Sequence, residues 1–190
     1  MVRVIAVNTG NKFSDWYTKN LKYMVDNYSN LNYDKFEVID NEVYEGVFDK
    51  LQMFDKFRDG QNIFFDLDIL IKGDCNKFLK KELTICHAWW RDAKYTSLNS
   101  SIISWFGDYS HIHEKFAKDP DYYMIKYWRG IDRYLEENFN PNTYDKTYDI
   151  HSYKWMNDEN IKNYNVILFN QKYQSMLHQG FWSNFFVQSQ

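Results

Sequence analysis

Proline and glycine are scarce. Two prolines, Pro120 and Pro141, and seven glycines in 190 residues leave no flexible linker rich in Pro, Gly or Ser. With no repeat and no block of like charge, residues 1–190 read as one continuous domain long enough to bury a substantial core. Long hydrophobic runs are missing too, and nothing approaches the roughly eighteen apolar residues of a membrane span. The opening residues Met1-Val2-Arg3-Val4-Ile5-Ala6-Val7 are too short and too soon polar for a secretory signal. Cys75 and Cys86 lack metal-site spacing and a disulfide framework, and each sits beside apolar residues as a small core side chain. A reducing cytoplasm is the expected compartment. A net charge of −3 argues against gripping a nucleic-acid backbone. Gly10 stands alone, so no glycine-rich phosphate loop is present, and no Gly-x-Ser-x-Gly nucleophile setting occurs.

Aromatic residues, by contrast, make up 20% of the chain, with sixteen Tyr and seven Trp. Rings with polar tips suit sugar and nucleoside surfaces, where a face stacks and an edge hydrogen-bonds. A coding bias toward Asn, Lys, Tyr, Ile and Phe explains the excess equally well.

Residues 3–7 form a short apolar run broken by Asn8-Thr9-Gly10-Asn11, a strand running into a turn. Ser14 can cap a helix whose inward face is Leu21, Met24, Val25 and Tyr28. Residues 36–39 read as a second strand. Val47, Leu51 and Phe54 recur at helical spacing, which puts Lys50 on a second helix ended by Asp59-Gly60. Residues 63–71 are apolar around two acids, the pattern of a single strand covered on both faces and closed by Gly73. Further strands are expected at 83–86, 101–106 and 166–169, and helix over 110–138 with breaks at Pro120 and Gly130. Strand and helix alternate in the first half, so the expected class is α/β with a mainly parallel sheet. Ligands of such sheets bind beyond the C-terminal strand ends.

Asp66 and Asp68 are the most informative residues. A buried carboxylate is costly, and two of them side by side repel. A divalent cation, Mn2+ or Mg2+, would remove that repulsion and could bridge to the phosphates of a nucleotide diphosphate. The pair can act together only if Leu67 points the other way. The ordinary alternative is that the acids cap helices or pair with Lys50 or Arg91.

Several segments in order carry a resemblance: Val4-Ile5-Ala6-Val7-Asn8 with Lys12-Phe13-Ser14, Lys50-Leu51-Gln52-Met53-Phe54 and Phe65-Asp66-Leu67-Asp68. Leu98-Asn99-Ser100-Ser101, Arg129-Gly130-Ile131-Asp132-Arg133 and Ser152-Tyr153-Lys154-Trp155 continue it. Together they resemble small GT-A-fold glycosyltransferases of bacteria and bacteriophages, distantly related to glycogenin-like and galactosyltransferase-like enzymes. The resemblance implies a metal-dependent transfer of a sugar from a UDP- or GDP-sugar to a glycan, lipid, protein or small-molecule acceptor, with retention at the anomeric carbon. It implies that Asn8 meets the nucleoside, Lys50 and Lys172 face the diphosphate, and Arg91, Asp92 and Asn99 hold the sugar. Asp66 and Asp68 become the metal and donor pair, and Asp132 the group beside the reacting carbon, with Asn99 close to it. Relatives commonly place a metal-binding histidine after the last strand; Asn170 stands there in this chain, a weaker oxygen ligand. Two other readings use the same residues: an inactive relative that only binds nucleotide-sugar or glycan, and a sugar nucleotidyltransferase. His111 and His113 read as surface or helix-start residues.

Overall fold

The computed structural model describes residues 1–156 and 163–169. Its first strand, β1 (Val2–Val7), shows how the sheet is covered on both faces. Successive side chains of a strand point to opposite sides. Val4 and Ala6 accordingly enter one core while Ile5 enters another. Helix α1 (Asp15–Tyr28) follows Ser14 and buries Asn20, Leu21, Met24 and Val25. Tyr28, expected on that inward face, packs against it only partly buried. Strand β2 (Lys35–Ile39) comes next. The segment expected as a second helix is mostly a 3-10 turn, Gly46–Leu51, which runs into the short α2 (Gln52–Lys56). Val47, counted on its apolar face, is exposed.

The expected single strand over residues 63–71 is two. Strand β3 (Gln61–Phe65) and strand β4 (Ile69–Ile71) belong to different sheets, and Asp66-Leu67-Asp68 is the irregular span between them. Residues 63–65 and 69–71 are all apolar and buried, so the hydrophobic pattern runs through the break unaltered. Strand β5 (Thr84–His87) and the long β6 (Leu98–Phe106) follow. The helical stretch divides at Pro120 and Gly130 into α3 (His111–Ala117), α4 (Pro120–Lys126) and α5 (Ile131–Phe139). Three short strands complete the chain: β7 (Asn142–Tyr144), β8 (Ile150–Ser152) and β9 (Val166–Leu168). Strands β7 and β8 carried no sequence signal, being three residues each.

The main sheet has six strands in the order β2-β1-β3-β6-β5-β7, and all run one way except β6. The expected mainly parallel α/β architecture is the observed one. A three-stranded sheet, β4-β9-β8, sits where the chain continues past β3. One face of the main sheet packs on α1 and on this smaller sheet. The other packs on α2, α3 and α5 through residues such as Phe54, Phe64, Trp105, Phe116 and Tyr134. Cys75 and Cys86 are buried, as their surroundings suggested. Among the described residues no helix is long and apolar enough to cross a membrane.

Phe116 is fully buried, with its ring against those of Tyr44, Phe48 and Tyr134. Truncating it to Ala leaves a cavity on the face of the sheet away from α1. Phe116→Ala should cost about 3–5 kcal/mol in urea unfolding, with the midpoint lowered and the slope unchanged.

Candidate active site

Because β6 runs against its neighbours, its first residues lie at the same edge as the last residues of β1, β3 and β5. A cleft of about 1180 Å³ opens along this edge. It is lined by Val7 and Thr9 after β1, Asp66 and Asp68 after β3, and Asn99 to Ser101 at the start of β6. The loop after β5 contributes Trp89 to Thr96, and the opposite side comes from Lys50, Asp132 and the segment after β8.

The acid pair is held by the handover between the sheets. Asp66 N–H donates to Ser101 O at 2.9 Å, and Asp68 O accepts from Phe169 N–H at 2.8 Å, so the backbone stays paired across the gap. Leu67 is buried in the core between them, which leaves both carboxylates on the cleft side. Asp68 is buried and Asp66 partly so.

Lys50 reaches this pair from the 3-10 turn. Its Nζ lies 2.6 Å from Asp66 Oδ1 and donates to Ser100 Oγ at 3.4 Å, over the ring of Phe64. The turn is pinned by the next residue back. Asp49 is fully buried, and its Oδ1 accepts from Val43 N–H, Tyr44 N–H and Gln52 Nε2 at 2.7–2.9 Å. Burial by itself would lower the Lys50 pKa, but Asp66, then Asp132 and Asp68, outweigh that and hold it above the ordinary lysine value. Lys50 is thus a fixed cation in the cleft, and its pairing with Asp66 is one of the alternatives the sequence left open for that acid.

Asp132 sits in the first turn of α5, and its Oδ1 accepts from Ser100 N–H at 3.0 Å. Burial raises its pKa; the Ser100 hydrogen bonds and Lys50 pull it partly back. Gly130 starts this helix with φ of 115°, a conformation that L side chains rarely adopt. A Cβ there would meet Val47 Cγ2 at 3.0 Å. Ser100, touching both Lys50 and Asp132, is a site residue that sequence reading passed over; it was quoted only as part of a motif.

The other expected residues are placed as follows. Asn99 lines the cleft beside an irregularity in the β5–β6 pairing, and its Oδ1 accepts from Ser101 N–H at 3.1 Å. Arg91 and Asp92 also line it, Arg91 donating to Leu98 O at 3.2 Å. Arg91 and Asp92 are not paired with each other among the ion pairs of the described residues. Asn8 is at the end of β1, but its side chain turns to α1, with Nδ2 donating to Thr18 Oγ1 at 3.1 Å and Oδ1 enclosed without a partner. Its neighbours Val7 and Thr9 line the cleft in its place. Asn170 and Lys172 lie outside the described residues. His113 Nε2 lies 2.9 Å from Tyr44 Oη, and His111 is exposed at the start of α3, away from the cleft.

Six cationic side chains line the cleft, Lys12, Lys50, Arg91, Lys94, Arg129 and Lys154, against the four acids Asp66, Asp68, Asp92 and Asp132. The cleft therefore carries an excess of two positive charges on a chain of net charge −3. Such a surface attracts an anion. Aromatic rings form another wall: Trp90 stacks on the buried His151 at 5.7 Å, and Trp89 meets the same imidazole edge-on at 4.7 Å. Burial holds the His151 pKa below the ordinary histidine value. The adjacent pair Trp89-Trp90 was legible in the sequence; His151 carried no local signature. Among the described residues no three His, Cys, Asp or Glu side chains are grouped to hold a metal.

No protein-family model matches this sequence, and no curated protein does. Solved structures do match. A crystal structure of a glycosyltransferase involved in the glycosylation of the major capsid of PBCV-1 superposes with a TM-score of 0.66 at 9% identity, over 94% of this chain and 99% of that one. The glycosyltransferase GlyE of Streptococcus pneumoniae TIGR4 also matches with a TM-score of 0.66 at 9% identity, over 97% of this chain and 63% of GlyE. Its apo form gives 0.61 at 8% identity, over 96% and 61%. The chain shares the GT-A fold with these proteins.

Gly130→Ala should destabilise the protein by about 1–3 kcal/mol, since it forces a side chain into a strained backbone region. Urea unfolding measures it, and Val47→Ala in the same chain should not restore the loss, because clearing the space leaves the backbone strain. Asp132→Asn should raise stability near neutral pH. Because the folded protein binds the Asp132 proton more tightly than the unfolded chain does, ionisation costs stability above the folded pKa, and that cost fades as pH falls toward about 4. The variant's advantage in urea unfolding should shrink over the same window.

Proposed function

We propose that this protein transfers a sugar from a nucleotide-diphosphate sugar, UDP- or GDP-linked, to an acceptor hydroxyl, with a divalent cation at Asp66 and Asp68. The observation that carries this is the placement of two carboxylates and a fixed lysine on one cleft at the carboxyl edge of a GT-A sheet. The shared fold with glycosyltransferases supports it.

Val7, Thr9 and Lys12, after β1, would take the nucleoside end, with Asn8 fixing that turn through Thr18. Lys50 places positive charge where the diphosphate leaves. The bond from the anomeric carbon to the diphosphate oxygen breaks with its electron pair going to the diphosphate, and the acceptor oxygen bonds that carbon and gives up its proton to the departing diphosphate. Asn99, Arg91 and Asp92 would hold the sugar, and Asp132 lies beside it, positioned by Ser100. Retention at the anomeric carbon belongs to this proposal on the resemblance stated above; product NMR would read it.

The residues fit a hard cation such as Mn2+ or Mg2+. Asp66 and Asp68 offer ionisable oxygens on one side of the cleft, with Asp66 Oδ1 engaged by Lys50 and its second oxygen remaining. When bound, that ion would stabilise the charge developing on the diphosphate. Two protein carboxylates are few, so the donor's own phosphates and water would complete the shell.

The Lys50–Asp66 ion pair also suits a second role, since it neutralises one acid without any metal: a relative that binds nucleotide-sugar and does not turn it over. One experiment separates them. Incubated with a panel of UDP- and GDP-sugars and Mn2+ or Mg2+, the protein should release nucleoside diphosphate, and a chelator or Asp68→Ala should cut the rate by roughly 10²-fold or more. Tight binding of nucleoside diphosphates by calorimetry with no release from any donor would establish the binding role. Release that is untouched by both chelator and Asp68→Ala would overturn the assigned site.

A further inference from the structure

The far end of the cleft holds cations that the donor diphosphate does not account for. Adjacent strands lie about 4.8 Å apart, so the end of β5 is about 10 Å along the edge from the end of β3, where the acid pair lies. There Arg129 lines the cleft with its Cζ 4.9 Å from the centroid of the Tyr95 ring, and Arg133 Cζ lies 4.8 Å from the same centroid. Arg129 also packs over Trp128 at 4.6 Å. It makes no ion pair among the described residues, whereas Arg133 is paired with Glu137, its Nε 2.6 Å from Oε1. The Tyr95 hydroxyl is enclosed and has no hydrogen-bond partner among the described residues. Lys94, on the same loop, lines the cleft as well, and Asp92 is exposed at the rim without an ion pair to either arginine.

An aromatic ring attracts a guanidinium but supplies no counter-charge. What Arg129 lacks among the described residues is an anion that accepts from its fork, and carboxylate and phosphate match that geometry. Charge balance across the cleft agrees. A donor diphosphate of about two negative charges cancels the excess of two, and a divalent cation beside it restores that excess.

Resting on the donor-cleft assignment above, we propose that Arg129, held against the rings of Tyr95 and Trp128, binds an anionic group, a carboxylate or phosphate, borne by a sugar at the transfer site. Its guanidinium has no carboxylate partner among the described residues. The anion could belong to the acceptor or to the transferred sugar, and these are separated below.

Calorimetry of the full chain with UDP or GDP and Mn2+ bound, titrated with glucose, glucose 6-phosphate and glucuronate, tests the acceptor arm. At least one anionic sugar should bind about tenfold or more tightly than glucose, and Arg129→Met should remove that preference while leaving nucleoside diphosphate affinity unchanged. Comparing UDP-glucuronate with UDP-glucose tests the donor arm: an Arg129-dependent preference there assigns the anion to the transferred sugar. Tyr95→Leu, which removes the ring that holds the Arg129 guanidinium, should weaken the anionic ligand and not glucose. Equal affinity for neutral and anionic sugars in both arms would overturn the proposal. So would a preference that survives Arg129→Met, or one that nucleoside diphosphate abolishes by competition. If no nucleoside diphosphate binds while the Arg129-dependent preference persists, the donor assignment falls and the anion site stands.

Discussion

Between Phe65 and Ile69 the backbone leaves one sheet and enters another, and the polar character of the cleft follows from that handover. A carboxylate inside a covered strand would be prohibitive. Where ladder pairing stops, the side chain can turn out while Ser101 and Phe169 keep the main chain satisfied. The cost that remains is mutual repulsion of the acids, and Lys50 offsets it from across the cleft. Asp132 adds its negative charge to the field that keeps this ammonium protonated.

The order of groups along the edge is set by the sheet. Strand β1 ends at Val7, beside Thr9, and β3 at the acids; β6 presents Asn99 and Ser100 near its start, and β5 leads into the loop that carries Trp89 to Thr96. Reversal of β6 matters here, because it turns the start of a strand toward the ligand side and so presents the Ser100 amide to Asp132. A parallel strand in that place would offer its last residues instead. Strand order thus acts as a ruler of about 4.8 Å per step.

Much of this was legible in the sequence, for reasons that differ by element. The alternating elements, the breaks at Pro120 and Gly130 and the buried cysteines follow from local chemistry, and the structure has them. The acids at a strand's end were recognised because charge inside an apolar run is expensive. The division of residues 63–71 into two strands was not recognised, since both pieces are buried on all sides and hydrophobic pattern carries no mark of a change of partner. Asn8 shows another limit: sequence placed it at the strand end, but which way its amide turns was decided by Thr18, ten residues on. Ser100, Tyr95 and His151 act through neighbours distant in the chain. No local pattern could have singled them out.

The two cores on opposite faces of the main sheet have a consequence for how this protein tolerates change. Ile102 belongs to the core shared with α1, and Ile103 to the core shared with α3 and α5. Neighbours in sequence therefore answer to separate sets of partners, whereas Val4, Phe65 and Ile102, far apart in the chain, share one. Compensation for a lost methyl group will be found among residues on the same face of the sheet, not next door. The two faces of the sheet are free to drift as two independent lineages.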